Sequence, residues 1–218
     1  MSFSLVIPFF NEEQNLTQLL KDLESFSQKI DIEHEIILID DGSTDRSLEL
    51  AQSSPFKVIS HTSNMGQGAS WRTGIAEAQK EYLIFLDSDL QFSLDDILPM
   101  IGLIHKGYKI VWGWRKIRKD PWTSILASRV GNAFIHLLFS IRAHDCGCSL
   151  KIIQKNLLSQ LPPMHNAHRY FPVFLKQEPM QVEYIVRHYP RLKGKSKYGL
   201  FKVFSVLKEL IELKRLGF

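Results

Sequence analysis

The chain has 218 residues, 44% of them hydrophobic, 11% aromatic and 23% charged, the make-up of one globular domain large enough to bury a core. The net charge is 27 − 23 = +4, and no apolar run reaches the roughly 18 to 20 residues that span a bilayer. The start, MSFSLVIPFFNEE, lacks the basic segment and small-residue cleavage site of a secretion signal, so neither secretion nor insertion is expected.

Phe3 to Phe9 reads as a buried strand, and Leu16, Leu19, Leu20 and Leu23 fall at helical spacing between Glu12 and Phe26. The pattern repeats with a strand at 35–40, a helix that Ser43 or Thr44 can cap, and a strand at 56–60. A helix from Gly66 to Gln79 and an apolar strand at 82–87 follow. Strands alternating with helices predict right-handed βαβ units and a mostly parallel sheet, with residues 1–90 as a nucleotide-binding half. Beyond Asp89 the pattern loosens to a strand at 109–115, an amphipathic helix at 121–141, a strand at 180–188 and a helix at 200–216. No repeat or linker interrupts the chain, and one α/β domain is expected over 1–218.

Charge is uneven along it. Residues 1–60 hold 11 acidic and 4 basic side chains, and residues 187–218 hold 2 acidic and 9 basic, which suggests an anionic partner such as nucleic acid, a membrane surface or a phosphorylated substrate. Nucleic acid is the weaker choice, because no nucleic-acid module is present and the acidic half would repel a backbone. Ligands of open α/β sheets sit outside the carboxyl ends of the strands. Three strand ends are acidic: Asn11-Glu12, Asp40-Asp41 and Asp87-Ser88-Asp89. Each alone reads as a solvated loop; converging, they would need a hard divalent cation, with Gln91 a further polar contact.

Other motifs fail. NMGQGASWRTG has Trp71 where a dinucleotide fingerprint needs its third glycine, and Gly194-Lys195-Ser196 has Tyr189 where a P-loop needs glycine. His144, Asp145, Cys146 and Cys148 offer metal-ligand types, but alternating spacing sends them to opposite faces and no second pair completes a zinc site. The two cysteines are expected to be packing residues in a reducing cytoplasm, leaving Asp145 free to act. Arg115, Arg118, Arg129, Arg142, Arg191, Lys195 and Lys197 could be a solvated surface or a nucleic-acid patch, but arginine suits phosphate because its guanidinium fork donates two parallel hydrogen bonds, and one phosphate-bearing acceptor would use several of them.

Taken in order, VIPFFNEEQNL, IILIDDGSTD, NMGQGASWRTGIAEAQ, FLDSDLQ, GWRKIRKD, DCGCSLK and HYPRLKGKSKYG resemble the family 2 glycosyltransferases of the GT-A fold, and within them the polyprenyl-phosphate sugar transferases. The resemblance implies an inverting, metal-dependent transfer of a sugar from a GDP- or UDP-sugar to a polyprenyl phosphate. It implies that Pro8, Phe10, Glu12 and Asp40 line the nucleotide pocket with Asp41 close by. Asp87, Asp89 and Gln91 would hold Mg2+ or Mn2+, Arg115 and Arg129 would grip the acceptor phosphate, and Arg191 with the Lys195–Tyr198 loop, Lys197 included, would close over the diphosphate. Asp145 would orient the acceptor or an arginine. The family often has Tyr at Phe10, and many relatives continue into transmembrane helices after such a loop.

A phosphate acceptor is already anionic and needs no base; a sugar hydroxyl acceptor would, with Asp145 the candidate, and a silent binding module is the third reading. No QxxRW signature of processive synthases is present. The expected location is peripheral, on the cytoplasmic face of the membrane, with a homo-oligomer or a membrane partner protein left open. In the tail, Leu200, Val203, Phe204, Leu207, Leu210 and Ile211 share a helical face that Phe201 and Leu213 widen, which suits docking on an anionic membrane or packing on the core.

Overall fold

The computed structural model describes residues 1–120, 122–141, 143–159, 170–191, 209, 210 and 213–215. The strands are β1 Phe3–Phe9, β2 His34–Asp40, β3 Lys57–Ser60, β4 Tyr82–Phe85, β5 Ile110–Trp114, β6 Lys151–Gln154 and β7 Gln181–Ile185. The helices are α1 Glu13–Lys29, α2 Ser47–Gln52, α3 Gln67–Glu77, α4 Ile97–His105, α5 Trp122–Phe139, α6 Lys155–Leu158 and α7 Phe171–Phe174. The strands form one sheet in the order β3-β2-β1-β4-β6-β5-β7. Only β6 is reversed among them, antiparallel to both β4 and β5.

The central strand shows how the layers arise. Successive side chains of a strand point to opposite faces. Phe3, Leu5, Ile7 and Phe9 join α1 and α4 in one core cluster, while Val6 joins Trp71 of α3 and Phe171 of α7 in another. Each such buried side chain contributes about 1.5–3 kcal/mol. Helix α3 lies so close to β1 that a Cβ on Gly74 would stand 2.2 Å from Val6 Cγ1. A third cluster joins Ile135 and Phe139 of α5 to Cys146, Tyr170, Val173, Leu210 and Leu213.

Several expectations are corrected. Strand β4 ends at Phe85, and α2 starts at Ser47 without a cap from Ser43 or Thr44. Instead Asp45 Oδ1 accepts from the Ser47 amide at 2.9 Å. Helix α4 and strand β6 have no counterpart in the periodicity. Pro99 sits in the first turn of α4, where its missing N–H would have had no helical partner. Leu210 and Leu213 of the tail, for which membrane docking and core packing were both open, are fully buried in the third cluster. They are core residues because α5 and α7 leave an apolar gap for them; the remainder of the 200–216 helix, apart from 209 and 213–215, lies outside the described residues.

Candidate active site

Strand β1 outruns β4. Their pairing ends at Val6 and Phe85, whereas β1 stays paired with β2 as far as Phe9 and Asp40. The carboxyl ends of β1 and β4 therefore part, which opens a crevice at the topological switch point. Pro8 lies in the stretch beyond β4, so its missing N–H removes no bond to that strand. Phe10, half-buried, follows it at the rim.

Two turns bordering this crevice are laced together. The Asn11 amide donates to Ser43 Oγ at 3.0 Å, the Thr44 amide to Asn11 Oδ1 at 2.8 Å, and the Glu12 amide to Ser47 Oγ at 2.8 Å. Asn11 takes a left-handed φ of 53° to allow this, a conformation asparagine tolerates. Asp40 is buried and accepts from the Ser43 amide at 3.0 Å and the Ser60 hydroxyl at 2.7 Å. Asp41, also buried, accepts from the amides of Met65 and Gly66 at 2.9 and 2.8 Å and contacts His61 Nδ1 at 2.9 Å. Asp41 thus holds the entry to α3, while Asp40 stays in the turn laced to Asn11 and Glu12. Gly42 is obligatory there: its φ is 73°, and a Cβ would stand 2.4 Å from the Ser63 carbonyl carbon.

After β4, Asp87 accepts from Gln67 Nε2 at 2.7 Å, so the first residue of α3 touches the acidic pair. Burial pushes the Asp87 carboxyl up, against Ser149, Arg115, Lys151 and Arg191, which pull it down. Burial and the neighbouring Asp87 push Asp89 up to about 7, against the charge of Arg191. Leu90 then adopts a left-handed φ of 59°, an uncommon conformation for a leucine.

Arg191 is delivered to these carboxylates by a clasp. Beyond β7, the Arg187 amide and Nε donate to Asp96 at 2.7 and 2.9 Å. The Tyr189 amide donates to the Gln91 carbonyl at 2.9 Å, and Gln91 Nε2 donates back to the Tyr189 carbonyl at 3.2 Å. Gln91, expected at a metal, therefore spends its amide nitrogen on this clasp. Arg191 forms an ion pair with Glu12 and stands 3.9 Å from Asp89.

On the far side, Arg115 leaves the end of β5. Its Nε and Nη2 donate to the two oxygens of Asp145 at 2.7 and 2.9 Å, and its backbone amide adds a third bond at 3.3 Å. Burial raises the Asp145 carboxyl, but the bonds and charge of Arg115 outweigh it and hold it below the usual range. Asp145 is thus not free: it aims an arginine, one of the two roles expected of it. The reversed β6 makes this meeting possible, since its amino end lies at the edge where the other strands end. Cys148 lies in the first core cluster and Cys146 in the third, parted by a turn in which the Cys148 amide donates to the Asp145 carbonyl at 3.2 Å; in an extended strand, residues two apart would have shared a face. Burial pushes both thiols up to about 12. Arg129 is exposed on α5. Lys195, Lys197 and Arg142 lie outside the described residues.

Residue-level reading missed Gln67 and Lys151. Gln67 carried a faint signal, a polar side chain between glycines at a helix start. Lys151 carried none; it is buried in β6 with its Nζ 5.4 Å from the Phe171 ring centre. Among the described residues no trio of His, Cys, Asp or Glu could hold a metal. Two crowded carboxylates, one held protonatable near neutrality, suit a hard divalent cation whose other oxygen ligands come from a bound phosphate.

An open α/β sheet with an acidic crevice at its switch point and an anchored arginine beyond it defines a class that handles phosphorylated ligands. The chain belongs to glycosyl transferase family 2, whose model matches residues 4–161. It is 32% identical to the dodecaprenyl-phosphate galacturonate synthase of Rhizobium johnstonii, a match covering 98% of this chain and 66% of that protein. It is 30% identical to the undecaprenyl-phosphate 4-deoxy-4-formamido-L-arabinose transferase of Edwardsiella ictaluri, over 95% of this chain and 66% of that one. The chain thus spans 66% of the length of these curated relatives. Among solved structures it is similar to mannosyl-3-phosphoglycerate synthase from Rubrobacter xylanophilus, with TM-score 0.75, 13% identity and coverage of 98% and 74%. Glucosyl-3-phosphoglycerate synthase from Mycobacterium tuberculosis, solved with Mn2+ and UDP, gives TM-score 0.69 at 18% identity, with coverage of 96% and 77%. The fold is the expected α/β GT-A architecture.

Proposed function

We propose that the chain is the catalytic domain of an inverting glycosyltransferase that moves a sugar from a UDP- or GDP-sugar to a polyprenyl phosphate at the cytoplasmic face of a membrane. The observation that carries this reading is the shared edge. The carboxyl ends of β1, β4, β5 and β7 and the amino end of β6 bring Glu12, Asp87, Asp89, Arg115, Asp145 and Arg191 to one side of the sheet. The named relatives act on dodecaprenyl and undecaprenyl phosphates, which supports the acceptor class.

Pro8, Phe10 and Asp40 would line the nucleotide, with Asp41 keeping the adjoining loop in place. Asp87 and Asp89 would hold Mg2+ or Mn2+, with Gln91 nearby, and the cation would supply positive charge for the leaving diphosphate. Arg191, already between Glu12 and Asp89, offers a planar fork to the same diphosphate. Arg115, fixed by Asp145, and Arg129 would hold the acceptor phosphate for attack on the anomeric carbon from the opposite face, and such positioning lowers the barrier without a base. A hydroxyl acceptor would need one. Asp145, engaged on both oxygens and held below the usual carboxylate range, is a poor candidate.

The test is incubation of the protein with polyprenyl phosphate, Mn2+ or Mg2+ and a panel of UDP- and GDP-sugars. Sugar should move into an acid-labile lipid product. Transfer to glycans with none to lipid phosphate would overturn the acceptor assignment.

A further inference from the structure

Helix α5 has an apolar face that the core does not use. Trp122 and Leu137 are 74% and 78% exposed, and Leu126, Val130 and Phe134 between them are exposed as well. Spacings of four, four, four and three residues place these five on one stripe, about 22 Å long. Ile135 and Phe139 point the other way, into the cluster with Leu210 and Leu213. The core side of α5 is therefore already satisfied. Single exposed apolar residues are ordinary, but a continuous stripe along an 18-residue helix marks a surface that is covered in use.

Charge says by what. From Trp122 to Phe139 the helix has no acidic residue, and Arg129 and His136 border one edge of the stripe in helical projection. The preceding turn supplies Lys116, Arg118 and Lys119 around Ile117, itself 75% exposed; Asp120, paired with Arg118 at 2.8 Å, is the acid there. Lys214 reaches the Leu138 carbonyl at 2.8 Å, which brings Arg215 alongside. A second copy of the chain would bring basic residues against basic residues. A bilayer with anionic headgroups brings opposite charge and an apolar interior, and Trp122 is a residue type suited to that boundary.

We propose that α5 is the surface by which the protein lies on an anionic bilayer, with Trp122, Leu126, Val130, Phe134 and Leu137 immersed. The choice of a bilayer rests on the polyprenyl-phosphate reading above. The link to the site is direct. Asn132 Nδ2 donates to the His144 carbonyl at 3.0 Å, and the next residue, Asp145, holds Arg115. Docking through α5 sets Arg115 and Arg129 at headgroup depth, where a lipid phosphate lies. Among the described residues no helix is long and apolar enough to cross a membrane, so this contact is interfacial.

The experiment sediments the protein with vesicles of phosphatidylcholine, with and without phosphatidylglycerol. Binding should rise with phosphatidylglycerol and fall with salt. The double variant Leu126→Glu/Leu137→Glu should bind at least about tenfold more weakly. In the native protein Trp122 fluorescence should shift to the blue on vesicles and be quenched by brominated lipid, a response lost in Trp122→Phe. That readout decides alone if the double variant proves misfolded by circular dichroism. Equal binding of native and double variant, or a native protein that ignores both vesicle types, overturns the proposal. So does a native dimer that the double variant splits without any vesicle binding, which would assign the stripe to a second copy. Turnover of a short, water-soluble prenyl phosphate should be equal in native and double variant. Vesicle binding with no turnover of any prenyl phosphate would remove the acceptor reading and leave the docking surface standing.

Discussion

The half of the molecule around β1–β4 and the half that begins at β5 solve opposite problems. In the first, the ends of β1 and β2 and the start of α3 are closed by hydrogen bonds among Asn11, Ser43, Asp40, Asp41 and the Met65 and Gly66 amides. Asp40 and Asp41 are buried there, and these turns are set by the protein's own hydrogen bonds. In the second, the charged groups are arginines, one locked by Asp145 and one exposed on α5, and the neighbouring surface is apolar and uncovered. A soluble donor can diffuse into a finished pocket. On the proposed function, a lipid-borne acceptor would have to be met by a face that leaves water with it, which matches the difference between the halves.

The strongest way to break the comparison is Asp89→Asn. Transfer should fall by about a thousandfold or more, because the cation proposed to balance the leaving diphosphate would lose a ligand. The same change should stabilise the metal-free fold. Asp89 ionises near 7 in the folded chain and near the ordinary value of about 4 unfolded. Its contribution is therefore full below about 4 and is lost as pH rises toward 7. Urea unfolding should show the native chain weakening over that window and the variant not. A variant no more stable than the native chain at neutral pH would mean that Asp89 is not crowded as described.

Asp145→Asn probes the other half. The Arg115 charge would lose its buried partner, at a stability cost of about 3 kcal/mol by denaturant unfolding. The acceptor KM should rise about tenfold while the donor KM holds, since the aimed fork loosens. A fall in kcat with both KM values unchanged would instead make Asp145 a base. Arg129→Ala should have a smaller effect, a several-fold rise in acceptor KM alone, partly restored by lysine, which carries the charge but not the fork. Equal effects on both substrates would give Arg129 a structural role.

The two halves also differed in how far they could be read. β1 was legible to the residue, because a run buried on both faces has a length and an apolar content that little else shares. The acidic strand ends were legible for the same reason: each punctuates such a run. What failed was partnership at a distance. Asp41 looks like Asp40 in sequence, yet it serves amides 24 and 25 residues on. Asp145 looked free because Arg115 is 30 residues away. β6 was invisible because four residues with a lysine at the head carry no periodicity, and its reversed direction breaks the βαβ rhythm that predicted its neighbours. α4 was hidden by Pro99 and Gly102, both tolerable where they fall.

The smallest expected effect is the most pointed test of where the core ends. Leu213 and Leu137 are both leucines of the α5 neighbourhood, separated in sequence and opposite in environment. Leu213 is fully buried with Ile135 and Phe139, and Leu137 is 78% exposed on the other side of the same helix. Truncating a buried leucine costs the lost transfer energy and the cavity left behind, so Leu213→Ala should cost about 2–5 kcal/mol. Leu137→Ala removes surface that water already reaches, and alanine is the better helix former, so it should fall within about 0.5 kcal/mol of the native chain. Denaturant midpoints of the two variants in vesicle-free buffer give the comparison directly. If Leu137→Ala proved as costly as Leu213→Ala, the stripe would already be covered in solution, and the open face that distinguishes the acceptor half would not exist.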